Sequence, residues 1–182
     1  MTKQNTDHKT CLWVDFETTG IDPAECQITE VGAILTYGPS RGFEEIDRYQ
    51  AIVDLPYDTA WRRVALDMAI ESGLAARMDA ETGKKIERIE EDLCRVVARF
   101  DRPILAARNA GFERGFIGAH LPDLADRLHY RAFDVTPLCL IDPSLYDYDH
   151  GVEGTPHRAL YDIERDLEYA REFVRRYQGE NQ

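Results

Sequence analysis

The chain is short of cysteine, of long apolar runs and of positive charge, and each shortage removes a class of protein. Its four cysteines, Cys11, Cys26, Cys94 and Cys139, form no C-x-x-C pair and have no zinc-site spacing, and each sits in or beside an apolar stretch. They read as buried free thiols in preference to disulfides. No segment approaches the ~20 apolar residues needed to cross a bilayer, and the polar N-terminus MTKQNTDHKT lacks the apolar stretch of a secretory signal. A soluble, cytoplasmic protein with no membrane partner is expected. Lys and Arg number 22 against 34 Asp and Glu, for a formal net charge of −12. That balance argues against a protein that coats duplex DNA, whose affinity comes from basic residues meeting phosphates. No repeat or low-complexity tract is present, so the order of elements carries the information.

What remains suffices for one core. With 43% hydrophobic residues over 182 positions, residues 1–182 are expected to form a single domain, with 1–9 as a flexible tail. The run Cys11-Leu-Trp-Val-Asp-Phe-Glu17 reads as a strand that stops at Thr18-Thr-Gly20 and Asp22-Pro23. Ile28 to Leu35 and Phe43 to Val53 read as two further strands, joined closely enough around Gly38-Pro39-Ser40 for an antiparallel meander. Helical patterning follows over Asp58 to Ser72, ending at Gly73, and over Lys84 to Phe100, where Ile86, Ile89, Leu93, Val96, Val97 and Phe100 share one face. A short strand at Pro103 to Ala107, a helix from Gly111 to Leu121 stopped by Pro122, and a strand at Tyr130 to Val135 come next. A polar, aromatic-rich loop from Asp142 to Gly154 leads to a last helix, for which Thr155 is the expected cap and Pro156 the first residue. This succession predicts an α/β domain, a mixed β-sheet flanked by α-helices.

Three constellations carry chemistry. Asp15 and Glu17 are two apart on a strand, so both carboxylates leave one face and repel each other unless a cation lies between them. A bare D-x-E is also compatible with an ordinary solvated strand face, but the apolar neighbours Trp13, Val14 and Phe16 would bury this strand and leave the acids at its end. His157 and Asp162 stand five residues apart at the start of the last helix, separated by ~140° and ~7.5 Å of rise, so that they flank a site. A histidine can take a proton from water near neutral pH while an aspartate beside it holds the metal that acidifies that water; a capping or surface histidine is the alternative. In Asn109-Ala-Gly-Phe-Glu-Arg-Gly-Phe116, the pair Phe112 and Phe116 sets Glu113 beside the buried face, which by itself describes an amphipathic helix.

Taken together, these motifs resemble the DEDDh 3′→5′ exonuclease family, whose D-x-E-T-T-G, N-A-x-F-D-x-x-F and H-x-x-x-x-D motifs run in this order. The likeness extends over nearly the whole chain and looks closest to the oligoribonucleases, which share Trp-Val-Asp-x-Glu, Ser72-Gly-Leu74, His129-Tyr-Arg131, Asp134-Val135 and Gly154-Thr before the histidine. It implies a ribonuclease-H-like fold and a homodimer. It also implies that Asp15, Glu17, Glu113 and Asp162 hold two divalent ions, Mg²⁺ or Mn²⁺, with His157 as general base. The family carries Asp where this chain has Glu113, one methylene longer. Ile21 stands where oligoribonucleases commonly have Leu, placed to wedge against terminal bases, and Thr18, Gly20 and Asn109 belong to the same substrate-facing motifs. Tyr130, Arg131 and Thr136 lie where the resemblance puts the cap on a substrate phosphate, part of it given by a second subunit; Arg131 suits a phosphate through its forked donors. Asp134 is expected to be structural, since the metal set is complete without it. The implied substrate is the 3′ end of single-stranded RNA or DNA, with short oligoribonucleotides favoured and nucleoside 5′-monophosphates released. An acidic protein can serve this task, because gripping a strand end needs few phosphate contacts. The alternatives are a DNA-directed exonuclease of proofreading or repair type, and a catalytically impaired relative that only binds oligonucleotides.

Overall fold

The computed structural model describes residues 9–179; the expected tail, apart from Lys9, lies outside them. Strand β1 (Thr10–Thr18) is followed by β2 (Ile28–Tyr37) and β3 (Glu45–Ile52), then by helices α1 (Arg63–Glu71), α2 (Leu74–Ala80) and α3 (Ile86–Val97). Strand β4 (Ile104–Ala107), helices α4 (Ala110–His120) and α5 (Pro122–Arg127), strand β5 (Ala132–Asp134), helix α6 (Thr136–Ile141), a 3-10 turn (Pro143–Asp147) and helix α7 (Ala159–Gly179) complete the chain. The sheet order is β3-β2-β1-β4-β5, with antiparallel pairing from β1 to β3 and parallel pairing of β1 with β4 and of β4 with β5. This is the mixed sheet that the strand and helix patterning predicts.

Strand β1 is central and covered on both faces, which is why its sequence is apolar almost throughout rather than alternating. Leu12, Val14 and Phe16 pack with Ile89 and Leu93 of α3 and with Phe116 of α4. On the other face Cys11 and Trp13 join Ile163, Leu167 and Ala170 of α7. Each of the fully buried aliphatic side chains contributes ~1.5–3 kcal/mol through its removal from water. The Trp13 indole N–H donates to Thr36 Oγ1 at 3.1 Å, which satisfies the one polar atom of that buried ring. The two-residue period of the strand then carries Asp15 and Glu17 out on the Trp13 face, toward α7.

The approach of α7 depends on a glycine. Asp15 lies opposite Gly32 of β2, and a Cβ at Gly32 would stand 2.9 Å from the Ala159 carbonyl carbon. The first turn of α7 therefore seats directly on β2 beside Asp15, and that contact brings Asp162 to the acids of β1.

Several boundaries differ from the sequence expectation, each for a tertiary reason. The helix expected from Asp58 begins only at Arg63, because the Arg62 N–H donates to the Thr19 carbonyl at 2.8 Å and ties the preceding segment to the turn after β1. Gly73, with φ of 75°, then separates α1 from an unanticipated second helix, α2. Pro122 ends α4 but also opens α5, where its missing N–H is harmless. Thr155 and Pro156 stay outside the last helix. His157 adopts a left-handed φ of 61° that a helix cannot include, and α7 starts two residues later. Its cap comes from another strand: the Ala159 N–H donates to the Glu30 carboxylate of β2 at 3.2 Å. Glu30 has 0% exposure and is paired with Arg158 at 2.6 Å, and its charge favours the N-terminal end of the α7 dipole.

Candidate active site

Three chain segments converge at one end of the sheet. Strand β1 ends in a register shift between Glu17 and Thr18. The Thr18 hydroxyl donates to the Gly20 carbonyl at 2.7 Å, and the Thr19 N–H donates to Gln27 O at 2.9 Å, which returns the chain into β2. A Cβ at Gly20 would lie 2.5 Å from Arg62 Cγ and 2.7 Å from Cys26 Sγ, so only glycine fits this turn. Ile21 follows with 84% of its surface exposed.

Helix α4 brings the second segment. Asn109 caps it by accepting the Phe112 N–H at 3.3 Å. The Phe112 and Phe116 rings lie 4.8 Å apart, and between them Glu113 is turned inward, with 4% exposure. Its carboxylate accepts the Phe16 N–H, whereas Oε2 has no hydrogen-bond partner. An acceptor buried in this way carries a desolvation cost that a bound cation would remove.

The start of α7 is the third. The His157 main-chain N–H donates to Asp162 Oδ2 at 2.9 Å, closing the left-handed turn onto the helix. Asp162 Oδ1 is paired with the Arg165 guanidinium. Ligand atoms of Glu17, His157 and Asp162 all lie within 4.8 Å of one another, the only such group among the described residues.

The electrostatics of these groups point in one direction. Burial, followed by repulsion from Glu17, Asp162 and Asp166, holds the Asp15 carboxyl well above the usual range. Burial, followed by the Asp15 and Glu17 charges, does the same to Glu113. Glu17 is pushed up to about 7 by burial and by the charges of Asp162 and Glu30. Burial also raises Asp162, against the opposing charge of Arg165. Four carboxyl groups that cannot comfortably ionise together form a donor set for cations. Carboxylate oxygens suit hard ions such as Mg²⁺ and Mn²⁺, and the unpartnered Glu113 oxygen is the observation that fits such an ion.

A cleft of about 870 Å³ opens over these groups. Asp15, Glu17, Thr18, Gly20, Ile21, Asn109, Glu113, His157 and Asp162 all line it. Tyr130, Arg131 and Thr136 do not. Tyr130 and Arg131 precede β5, at the end of that strand away from the cleft, with the Arg131 guanidinium over the Tyr130 ring at 5.3 Å. The Thr136 hydroxyl donates to the Arg108 carbonyl. Asp134 bonds the N–H groups of Ala110 at 3.0 Å and Thr136 at 2.8 Å, a structural bracket between β4 and β5. The sequence reading missed Val64, Ala65 and Met68 of α1, which supply an apolar wall, and Arg108, which lines the β4 side. It also missed Asp166, although its place four residues after Asp162 on a helix put both carboxylates on one face.

Comparison with known proteins agrees with this geometry. The RNase_T family model, described as an exonuclease, matches residues 12–169. The chain belongs to this exonuclease family. It is 27% identical over 162 residues to the oligoribonuclease of Francisella tularensis subsp. tularensis strain SCHU S4, covering 86% of this chain and 89% of that protein. Among solved structures, the nuclease domain of 3′hExo, a DEDDh family member bound to rAMP, superposes with a TM-score of 0.61 at 16% identity, covering 96% of this chain and 94% of that one. Pop2p of S. pombe, in a form with bound Mg²⁺ and Mn²⁺, gives a TM-score of 0.73 at 12% identity, covering 92% and 84%. This exonuclease is thus a 3′→5′ enzyme built on the ribonuclease-H-like fold. No described helix is long and apolar enough to cross a membrane.

Proposed function

We propose that this exonuclease shortens single-stranded oligoribonucleotides from the 3′ end, one nucleoside 5′-monophosphate at a time, with Asp15, Glu17, Glu113 and Asp162 holding two divalent ions. The observation that carries the reading is the convergence of Glu17, His157 and Asp162 within 4.8 Å beneath an open cleft. Bound Mg²⁺ or Mn²⁺ supplies Lewis acidity and lowers the pKa of water toward neutrality. His157 is exposed to the cleft mouth and receives the proton of the attacking water, a task suited to an imidazole near pH 7. Its main-chain N–H, hydrogen-bonded to Asp162 at 2.9 Å, ties the residue to a proposed metal ligand, which supports this role. Ile21, Val64 and Met68 offer apolar surface to the terminal bases, and Thr18 and Asn109 border the sugar-phosphate path. Likeness to a protein named oligoribonuclease supports short RNA, in preference to DNA, as the substrate.

A homodimer in the cytoplasm completes the proposal. Tyr130 and Arg131 are exposed and stand outside the cleft of their own protomer, as residues serving a partner's substrate would. The free thiols of Cys11, Cys26, Cys94 and Cys139 suit a reducing compartment.

The test is incubation with a 5′-labelled RNA dinucleotide, a longer RNA and the matched DNA in Mn²⁺, beside His157→Ala and Asp162→Ala. Rapid loss of the RNA substrates by the wild type alone supports the reading. Preference for DNA transfers the enzyme to proofreading or repair chemistry, and variants as active as wild type overturn the roles given to these two residues.

A further inference from the structure

Asp166 lies one helical turn beyond Asp162 on α7 and is nearly sealed, with 3% exposure. Its Oδ1 receives Nε and Nη2 of Arg108 at 2.9 and 2.5 Å and Nε of Arg165 at 3.1 Å. Arg165 also reaches Asp162. One carboxylate cannot neutralise two guanidinium groups, so a second acid is required. Arg165 directs its share to Asp162. Arg108 is held flat by the Asp166 bonds and by the Tyr169 ring, 5.1 Å from its guanidinium. Its side chain stays 29% exposed, and Arg108 lines the cleft together with Asp15, Asn109 and Glu113. Among the described residues of that lining only Arg62 and Arg108 are arginine or lysine; Arg62 pairs with Glu25 at the exposed surface, whereas Arg108 is fixed on a buried carboxylate.

A cleft with four carboxylates repels the backbone of a nucleic acid strand except where a fixed cation faces it. We propose that Arg108 binds the backbone phosphate neighbouring the scissile one, and that Asp166 is the positioning residue that aims it. A guanidinium presents paired donors to phosphate oxygens, which an ammonium cannot do. The inference rests on the single-strand reading above and adds to it a residue that distinguishes substrates by their phosphate count.

The experiment compares wild type and Arg108→Gln on an unlabelled RNA dinucleotide with a free 5′ hydroxyl, whose only phosphate is the scissile one, and on an RNA hexanucleotide, in Mn²⁺ over a range of monovalent salt. The expected result is a rise in KM of about tenfold for the hexanucleotide with kcat within about twofold, and no change for the dinucleotide. The slope of log kcat/KM against log salt for the hexanucleotide should shrink in magnitude by about 0.7, the value for one phosphate contact on a single strand. Asp166→Asn should reproduce the KM effect; should it fail to fold, Arg108→Lys, which keeps the charge and loses the fork, should give a smaller KM rise. An equal rise on both substrates, a loss confined to kcat, or an unchanged salt slope would overturn the assignment. A wild-type enzyme that cleaves neither RNA refutes the proposed function instead, which keeps the two failures distinct.

Discussion

Glu17→Gln in metal-free enzyme isolates what the crowded carboxylates cost the fold. Glu17 titrates near an ordinary 4.5 when unfolded and is pushed up to about 7 in the folded protein, chiefly by burial. A carboxyl with a raised folded pKa binds its proton more tightly in the native state, so it leaves stability untouched below about pH 4.5 and lowers it progressively as pH climbs toward 7. The full penalty, present above pH 7, is at most about 3 kcal/mol, taking ~1.4 kcal/mol per unit. Glutamine keeps the shape and cannot ionise. In EDTA at pH 8 the variant should therefore melt higher than wild type, by up to ~6–12 °C for a domain of this size, and the advantage should vanish near pH 5. Subtracting the two melting curves at each pH cancels the carboxylates whose pKa is lowered, such as Asp92 at about 2, which act with the opposite sign. Saturating Mn²⁺ should reverse the order, because wild type alone keeps the ligand. A variant no more stable than wild type at pH 8 in EDTA would refute the argument that these acids are frustrated without a cation.

Three further outcomes follow from the same geometry. Glu113→Gln removes a buried charge without changing volume, and should cut turnover at least a hundredfold while calorimetric Mn²⁺ stoichiometry falls from two to one. Glu30→Ala leaves Arg158 buried without its carboxylate and the Ala159 N–H without its acceptor; denaturant unfolding should show a loss of about 3 kcal/mol or more. Ile21→Ala, at a side chain 84% exposed, should leave unfolding within about 0.5 kcal/mol of wild type yet raise KM for every strand tested.

The parts of the site that were legible in the sequence are those fixed by local spacing. Asp15 and Glu17 share a face because a strand has a period of two, whereas His157 and Asp162, expected to flank a site by helical offset, are brought together by a left-handed turn before the helix. The boundaries that went astray were decided by distant partners. Nothing near Thr155 reveals that a glutamate on β2 will cap α7, or that His157 will take a left-handed turn. Likewise the Arg62 N–H bonds to Thr19, a contact between segments far apart in sequence, and helix propensity over 58–62 yields to it. Glu30 offered one clue, the lone acid of β2, and its burial is explained by partners from distant segments, Gln50 of β3 and above all Arg158 and the Ala159 N–H from near the other end of the sequence. Tyr130 and Arg131 illustrate the reverse, a motif legible as sequence whose residues stand outside the site of the single chain.

Helix α7, seated on Gly32 of β2 and packed against Cys11 and Trp13, joins the first strand of the described chain to its last helix. An ion shared between Asp15 or Glu17 and Asp162 would then act as a removable staple across almost the entire polypeptide, closing a very long loop in the way a disulfide does. Unfolding would have to open that staple before the strands separate. Resistance to proteolysis should accordingly follow the divalent-ion supply, and an enzyme starved of metal would be the form most readily cleared.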